Sequence, residues 1–272
     1  MDPGPERTFR PEAVLRAGAA IFALLATGLA ALLIAAHLEG VDPSKVAPVA
    51  APSASVPTPT PAPLTDLGRA ALASVVTVEV QVAVSNSESL GTGWIFDARG
   101  DIVTNAHVVQ GHSAIRVTDR QDHTRLAVVL GTEYSQSADI ALLRPVSSLP
   151  AAALPIDATA LASVPLSLIV LASSSATGKD DMTAERAIGL NDTVPLAANG
   201  GIRPGQGVPR VYNGMIHLQG GSIYEGNSGG PVLNAAGQVV GVLTLANPTG
   251  SDAYAIPISR VLSELTAWSH SG

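Results

Sequence analysis

The sequence predicts an all-β fold over about residues 65–258, followed by a C-terminal helix at about 259–268. Three observations favour this fold. Short runs rich in Val, Ile, Leu and Thr recur through the region, turn signals such as Asp97-Ala98-Arg99-Gly100 separate them, and only the last segment has apolar residues at helical spacing. Runs of β-branched residues bounded by Gly, Asp and Asn are typical of strands, so most of this region is predicted to form sheet.

The predicted strands fall into two sets. The first set comprises 75–82 and segments near 92–97, 101–105, 114–118, 125–132 and 139–143. A Pro- and Ala-rich connection at about 145–160 leads to the second set, near 166–172, 185–190, 211–219, 230–234, 238–246 and 253–257. A helical turn is expected at 67–73, before the first strand. In the last helix, which Ser259 can cap, four apolar residues at helical spacing predict a face that docks onto the second set: Val261, Leu262, Leu265 and Trp268.

Composition excludes several kinds of partner and cofactor. The 272 residues carry a net charge of −7, and the 15 Lys and Arg residues are scattered, so the chain offers no basic surface for nucleic acid. The absence of cysteine rules out a disulfide framework and a cysteine-based metal or redox site. The six histidines show no metal-ligand spacing. We therefore expect no metal, no cofactor and no nucleic-acid partner.

The stretch Gly226-Asn227-Ser228-Gly229-Gly230-Pro231 sets a serine among residues with a permissive backbone. Glycine adopts crowded conformations in which successive amide N–H groups can point at one spot, as a developing oxyanion requires. The stretch therefore predicts Ser228 as a nucleophile, with the amides of Gly226 and Ser228 as the oxyanion hole. Because the same residues are also typical of a hairpin turn, the rest of the chain must decide between the two interpretations.

A serine nucleophile needs a base, usually a histidine, and that histidine needs a carboxylate to orient it. Of the six histidines only His107 has a distinctive context, since 102–109 is predicted as a strand that runs into a tight turn. Asp139 begins the apolar run 139–143, where a buried carboxylate requires a partner. The chain order His107, Asp139, Ser228 is that of the chymotrypsin arrangement.

Four blocks stand in this order in the chain: Gly91-Thr92-Gly93-Trp94-Ile95-Phe96, Thr104-Asn105-Ala106-His107-Val108-Val109, Ala138-Asp139-Ile140-Ala141-Leu142-Leu143 and Gly226-Asn227-Ser228-Gly229-Gly230-Pro231. Together they resemble trypsin-fold serine proteases of the HtrA/Deg type. A further match at 254–259 resembles the closing strand and helix entry of that family, so the resemblance covers roughly residues 66–268, although about 172–212 match poorly.

The resemblance implies two six-stranded antiparallel barrels, at about 65–150 and 160–258, with the active site where they meet. It implies that His107 is the general base, that Asp139 orients it, and that Ser228 attacks the scissile carbonyl. The expected activity is that of a serine endopeptidase acting on protein or peptide substrates, in quality control or processing of extracytoplasmic proteins.

The resemblance also places a primary substrate pocket. Ser222, six residues before Ser228, is expected at its base, with Thr244, Leu245 and Ala246 along its wall. These residues are uncharged and narrow the slot, which favours small or medium aliphatic side chains before the cut. The hydroxyl of Thr244 is further expected to donate to Asp139.

Two departures from the family pattern bear on how the protease activity would be regulated. Asn227 replaces the aspartate of trypsin, so activation by a newly cut N-terminus is not implied. The sequence ends soon after the last predicted helix, which leads us to expect no PDZ domain. A homo-oligomer, specifically a trimer as in relatives, is a candidate assembly that the sequence does not decide.

Two other functional classes remain as alternatives. The motif Gly-x-Ser-x-Gly at 226–230 also matches the nucleophile elbow of an α/β-hydrolase esterase, but that fold needs its acid and histidine after the serine, and only His270 follows. A catalytically inactive trypsin-fold module that binds partners and is tethered to the membrane is the second alternative.

The N-terminal part predicts attachment to a membrane. Residues 17–36 form an uncharged apolar run whose helix would span about 30 Å, the thickness of a bilayer core. Three arginines precede this run and a single lysine follows closely, so 1–16 is predicted to be cytoplasmic and the protease domain extracytoplasmic in a single-pass protein of a bacterial cell membrane. A buried core helix and a signal peptide cleaved after Ala36 are the alternatives.

Residues 37–64 are predicted to link the membrane helix to a protease domain at 65–272. Seven prolines between 43 and 63 favour an extended polyproline conformation, at about 3.1 Å per residue. The segment is therefore expected to act as a semi-rigid spacer, with a Pro-rich ligand for a partner as the alternative.

Overall fold

The computed structural model describes residues 61–82, 87–173, 176, 182–195 and 211–271. The chain divides into two units, Met1–Pro57 and Thr58–Gly272, and all described residues belong to the second. The predicted cytoplasmic segment 1–16, the predicted membrane helix 17–36 and most of the predicted linker lie outside the described residues. Within the described part of the chain, no helix combines the length and the apolar character that a membrane crossing requires.

The first six strands close into an antiparallel barrel. Its strand order is β1-β2-β3-β6-β5-β4, and closure leaves no unpaired sheet edge. Side chains that alternate inward fill it, including Val78, Ile95, Ile102, Ile115 and Leu143, all 1% exposed or less. The strands are β1 Val75–Val82, β2 Ser87–Ile95, β3 Ile102–Thr104, β4 His112–Thr118, β5 Thr124–Tyr134 and β6 Asp139–Pro145.

The next six strands close into a second barrel of the same kind, in the order β10-β11-β12-β9-β8-β7. Its interior is packed by Leu168, Ile216, Leu218, Val232 and Leu243. The strands are β7 Leu166–Leu171, β8 Met182–Pro195, β9 Val211–Gln219, β10 Pro231–Leu233, β11 Val239–Ala246 and β12 Asp252–Pro257. The predicted all-β fold of two six-stranded barrels with a C-terminal helix is thus confirmed.

Three α-helices have their bounds in the described residues, α1 Pro61–Ala71, α2 Ala106–Val109 and α3 Ile258–Ser271, and a 3₁₀ turn at Leu72–Ser74 follows α1. Helix α1 begins inside the segment that composition assigns to the linker, because proline is well suited to the first position of a helix and Leu64 packs against the core. Helix α2 replaces the tight turn predicted after β3.

The four apolar residues of α3 form a docking face as predicted, since Val261 and Leu265 are buried and Leu262 and Trp268 pack against the core. The face was predicted to dock onto the second barrel, but the Trp268 ring lies against Gly131 of β5, so it contacts the first barrel as well. The helix begins at Ile258, so Ser259 lies inside it and does not cap it.

A third apolar cluster joins the two barrels. It combines Trp94, Phe96 and Leu142 of the first half with Leu171, Met215 and Val242 of the second. The Trp94 and Phe96 rings meet edge to face with centroids 6.1 Å apart. This shared core fixes the seam between the barrels, so groups on either side of the seam hold a defined relation to each other.

Strand boundaries are where the sequence prediction was least accurate. Strand β8 runs over Met182–Pro195, whereas the pattern predicted only 185–190. Pairing with β7 adds residues before 185, and pairing with β9 extends the strand to Pro195. Polar residues such as Asn191 and Asp192 interrupt the apolar pattern, so the pattern ends before the strand does. Strand β2 likewise begins at Ser87, five residues before the predicted start, through its pairing with β1.

Candidate active site

His107 and Asp139 are held together at the edge of the first barrel. Asp139 is the first residue of β6, and His107 lies in the short helix α2 after β3. The His107 Nδ1 atom is 2.6 Å from Asp139 Oδ2, and the His107 backbone amide donates to Asp139 Oδ1 over 2.9 Å. The carboxylate is fully buried, while the imidazole is 22% exposed. This geometry fixes the ring with Nδ1 toward the carboxylate and leaves Nε2 for a reacting group.

A tyrosine of the second barrel completes the surroundings of this carboxylate. The Tyr212 hydroxyl donates a 2.8 Å hydrogen bond to Asp139 Oδ2, the same oxygen that faces His107. Tyr212 is 1% exposed. Burial, together with the nearby negative charge of Asp139, raises the pKa of Tyr212 above its ordinary value, so the phenol stays protonated and acts as a donor.

Thr244 does not have the role that the sequence suggested. Its hydroxyl donates to the Val242 carbonyl at 3.1 Å and accepts from Asn105 Nδ2 at 3.2 Å, instead of donating to Asp139. Asn105 Nδ2 also donates to the Asp139 backbone carbonyl at 2.6 Å. The prediction for Thr244 was therefore wrong, because the hydroxyl of Tyr212 occupies the position beside the carboxylate.

Tyr212 carried no signal that sequence reasoning could use. It lies at the end of the segment 172–212, which matches the family blocks poorly, and no local motif surrounds it. Its partner Asp139 is 73 residues away in the chain. Only the packing of β9 against the first barrel brings the two side chains together.

The predicted nucleophile lies in a tightly turned loop between β9 and β10. The Asn227 amide donates to the Tyr224 carbonyl at 3.1 Å, and the Asn227 side-chain oxygen accepts from the Tyr224 amide at 2.9 Å. Gly229 has φ +88°, and a Cβ on it would lie 2.1 Å from the Thr92 carbonyl oxygen. A side chain cannot be accommodated there, so glycine is required where the loop crosses the first barrel.

The loop is bound to β2 of the first barrel through Thr92. The Thr92 hydroxyl donates to the Gly226 carbonyl at 2.7 Å, and the Thr92 amide donates to the Ser228 carbonyl at 2.9 Å. The same hydroxyl accepts the Ser173 amide at 3.0 Å. Both carbonyls therefore point toward the first barrel, and the backbone around Ser228 is fixed on both sides of the residue.

These contacts bring Ser228 to the side of the seam where His107 lies. A Cβ on Gly91 would lie 2.7 Å from the Val108 side chain and 3.4 Å from the Ser228 carbonyl oxygen. Ser228 and Val108, the residue after His107, therefore both lie close to Gly91. In the described part of the chain no hydrogen bond joins the Ser228 hydroxyl to the His107 ring. Among the same residues, the amides of Gly226 and Ser228 donate to no acceptor, as an oxyanion hole requires.

Comparison with known proteins places the chain in a family. The family model described as a trypsin-like peptidase domain matches residues 91–242, more than half of the chain. The chain belongs to the trypsin-like peptidase family. It is 34% identical over 175 residues to the putative serine protease HhoA of Synechocystis sp. and 33% identical over 179 residues to Protease Do-like 1, chloroplastic, of Arabidopsis thaliana. These matches cover 62% and 63% of the chain but 40% and 37% of those proteins, so the chain spans less than half of their length.

Solved structures support the same fold for this trypsin-like peptidase. The active form of the Rv3671c protease from M. tuberculosis matches with a TM-score of 0.60 at 24% identity, over 76% of this chain and 86% of that chain. The HtrA-type protease AlgW, solved with a tripeptide, matches with a TM-score of 0.59 at 20% identity, over 75% and 62% of the two chains. Both structures are less than 25% identical to this chain and show the fold. The resemblance of the sequence blocks to HtrA/Deg-type proteases is confirmed by the sequence matches to HhoA and to Protease Do-like 1.

The pocket predicted for this trypsin-like peptidase stays a prediction. Ser222 is exposed. Thr244 and Leu245 are 1% and 7% exposed, and Leu245 packs in the core between the barrels. Ala246 is half-buried against the interior of the second barrel.

Proposed function

We propose that the chain is a serine endopeptidase of the HtrA/Deg type, in which Ser228 attacks the peptide carbonyl, His107 acts as the base and Asp139 orients His107. The observation that carries the proposal is the double contact of Asp139 with the ring and the amide of His107, at 2.6 and 2.9 Å. A buried carboxylate in this position selects the tautomer with a free Nε2 and stabilises the imidazolium that forms.

The chemistry follows from these positions. His107 Nε2 accepts the proton of the Ser228 hydroxyl as Oγ bonds to the scissile carbonyl carbon. The amides of Gly226 and Ser228 stabilise the oxyanion of the tetrahedral intermediate, an effect worth roughly 3 kcal/mol per donor. The protonated His107 then gives its proton to the leaving amine, and water repeats the sequence to release the acid and restore Ser228.

The proposal is tested with the full chain in lipid nanodiscs and an unfolded protein such as reduced, alkylated lactalbumin. The wild-type chain should cleave it, and Ser228→Ala should reduce turnover by at least about 10⁴-fold, because the nucleophile and its base act as a unit. Ser263→Ala, an exposed serine of α3, is the matched control and should keep full activity. A fluorophosphonate probe should label the wild type and the control but not Ser228→Ala. Cleavage by Ser228→Ala at the wild-type rate would contradict the proposal.

An inactive binding module is the second candidate. It is favoured by the absence, in the described residues, of a hydrogen bond between Ser228 and His107. Catalytic hydrogen bonds in free enzymes are often long and tighten only with substrate, so this observation does not outweigh the first proposal. Binding of the unfolded protein without cleavage or probe labelling would favour the module.

We further propose that residues 17–36 anchor the peptidase in a bacterial cell membrane, with residues 1–16 in the cytoplasm and the barrels outside. The support is the uncharged apolar run of about bilayer length and the arginines before it. Extraction of membranes with alkaline carbonate should leave the chain in the pellet, and protease added to spheroplasts should degrade the barrels. Release of the chain by carbonate would contradict the anchor.

The substrate preference and the assembly are also proposals. Because Ser222, Thr244, Leu245 and Ala246 carry no charge, small or medium aliphatic residues before the cut are expected. Mapping of cut sites by mass spectrometry measures this preference. Mass photometry of the nanodisc preparation distinguishes a monomer from a trimer.

A further inference from the structure

Two segments from different barrels meet beside the candidate triad. Residues 135–138, between β5 and β6, lead directly into Asp139, and the start of β9 carries Tyr212, whose hydroxyl binds that carboxylate. The Asn213 amide donates to the Gln136 carbonyl at 2.7 Å, and Asn213 Nδ2 donates to Gln136 Oε1 at 3.4 Å. Because Asn213 directly follows Tyr212, these bonds tie the segment that carries the phenol to the segment that carries the carboxylate.

Arg260 of α3 contacts the same two segments. Its Nη1 atom donates to the Asn213 carbonyl at 2.5 Å and lies 3.5 Å from the Ser137 carbonyl, which is the long limit for a hydrogen bond. These partners are 47 and 123 positions away in the chain. One guanidinium nitrogen therefore reaches both segments from a third element.

The place of the Arg260 side chain is fixed by its surroundings. Ile258 and Val261, which lie on either side of it in α3, are buried in the shared core, so the start of the helix is held in place. Gly214 has φ +65°, and a Cβ on it would overlap the guanidinium. Glycine at 214 therefore leaves the space that the Arg260 side chain occupies, and a side chain there would displace it.

The contacts of Arg260 are with carbonyl oxygens. In the part of the chain that the structure describes, no carboxylate forms an ion pair with it. A surface salt bridge therefore does not account for an arginine at this position. Hydrogen bonds from a charged donor are stronger than those between neutral groups, which suits a contact that keeps two loop segments together.

We propose that Arg260 is a positioning residue of the peptidase, which keeps Tyr212 at hydrogen-bond distance from Asp139 by joining the segments that carry them. The inference rests on the proposed function, in which Asp139 orients His107. Without the bond to the Asn213 carbonyl, the start of β9 moves relative to β6, and the phenol loses its place on the carboxylate. The carboxylate then orients the imidazole less well, and Nε2 faces the nucleophile less often.

Kinetics of the full chain in nanodiscs test this role. Arg260→Gln should lower kcat on a peptide substrate by about 10- to 100-fold with little change in KM, because orientation of the reacting groups is lost and Arg260 is not among the predicted pocket residues. Arg260→Lys keeps a charged donor for the Asn213 carbonyl and should restore most of kcat.

Arg99→Gln is the matched control. Arg99 donates to the Ser269 carbonyl at the other end of α3, so this variant loosens the docking of the helix without touching the two segments. It should keep the kcat of the wild type. A loss of kcat in Arg99→Gln equal to that in Arg260→Gln would show that Arg260 acts only through the docking of α3.

Gly214→Ala tests the same contact from the side of β9. Its Cβ should displace the guanidinium while the charge stays, so kcat should fall to the level of Arg260→Gln. Because both variants break one contact, the double variant should be no slower than either single variant. Near-UV circular dichroism at the assay temperature shows whether each variant is folded. If Gly214→Ala does not fold, the comparison of Arg260→Gln with Arg260→Lys decides.

A spectroscopic readout separates this inference from the proposed function. In the Ser228→Ala chain with isotope-labelled histidine, NMR should show His107 with its proton on Nδ1, the nitrogen that faces Asp139. Arg260→Gln in the same background should populate the other tautomer, whereas Arg260→Lys and Arg99→Gln should not. A wild type that cleaves no substrate but whose tautomer responds in this way would refute the proposed function alone. An unchanged tautomer or an unchanged kcat in Arg260→Gln, or a loss that Arg260→Lys does not restore, would overturn the role of Arg260.

Discussion

The Thr92 hydroxyl of the first barrel donates a 2.7 Å hydrogen bond to the Gly226 carbonyl of the second. The two residues are 134 positions apart in the chain, and the bond is fully buried. It fixes the plane of the peptide between Gly226 and Asn227 and so the direction of the loop that leads to Ser228. In the proposed enzyme, one side chain of the first barrel thereby positions the oxyanion hole of the second.

Thr92→Val keeps the shape of the side chain and removes this donor. The Gly226 carbonyl is then buried without a partner, which costs about 1–3 kcal/mol, and kcat/KM on a peptide substrate should fall by about 10- to 100-fold. Steady-state kinetics and urea unfolding measure the two effects. Thr92→Ser retains a hydroxyl and should stay within about threefold of the wild type in kcat/KM. Wild-type kinetics and stability in Thr92→Val would show that the bond does not position the loop.

Tyr212→Phe removes the hydroxyl that donates to Asp139 Oδ2 and leaves the packing of the ring. A hydrogen bond to a charged group is worth about 1.5–3 kcal/mol, so kcat should fall about 10- to 100-fold with little change in KM. The matched control is Tyr254→Phe, a tyrosine of the same barrel that stacks on His217 away from Asp139. If both variants lost activity equally, or if Tyr212→Phe raised KM alone, Tyr212 would not position the carboxylate.

Arg144→Leu should destabilise the fold strongly. Asp101 is fully buried and accepts from Arg144 Nε and Nη2 at 2.8 Å each, and Nη2 also donates to the Ser269 carbonyl of α3 at 3.0 Å. Loss of the guanidinium leaves a buried carboxylate unpaired, at a cost of about 3–5 kcal/mol in the free energy of unfolding. The double variant Asp101→Leu/Arg144→Leu should recover much of that loss, and urea unfolding measures both. A single variant as stable as the wild type would contradict this assignment.

Glu185 should make the fold less stable as the pH rises through 7. Its pKa is about 7 in the folded state and 4.5 as the reference for the unfolded state, so the folded state holds an extra proton between these values. This contribution to stability is fully present below about pH 4.5 and is lost as the pH rises through about 7. Glu185→Gln should reduce the decline in the free energy of unfolding between pH 5 and pH 8. An unchanged pH profile in that variant would show that Glu185 is already ionised in the native protein.

The titration of Asp97 should lower the stability of the fold as the pH falls, opposite to the effect of Glu185. Burial disfavours its charged form, but hydrogen bonds from Ser269, Asp101 and Arg99 outweigh burial and lower the pKa of Asp97 below 3.8. The contribution of ionised Asp97 to the free energy of unfolding is therefore present above about pH 4, and it is lost as the pH falls through the folded-state pKa of Asp97. Asp97→Asn should remove part of the acid sensitivity seen in urea unfolding below pH 4. Equal acid sensitivity in the variant would contradict the role of Asp97.

The sequence by itself determined the strand content, the barrel-by-barrel order of the elements and the candidates His107, Asp139 and Ser228. These are local properties. β-branched runs, glycine-rich turns and the helical spacing of apolar residues in α3 report backbone preferences over a few residues. The chain order of three polar residues argued against the esterase arrangement. Where polar residues interrupt a strand, as at Asp192 in β8, the local pattern ended before the strand did.

Only the tertiary structure decided which groups complete the candidate site. Tyr212 instead of Thr244 contacts Asp139, Thr92 binds the loop of Ser228, and Glu185 is buried beside Gly221. Each of these relations joins residues that are far apart in the chain, and the first two cross the seam between the barrels. Their distances depend on how the closed barrels pack, and no pattern within a short stretch of sequence records that packing.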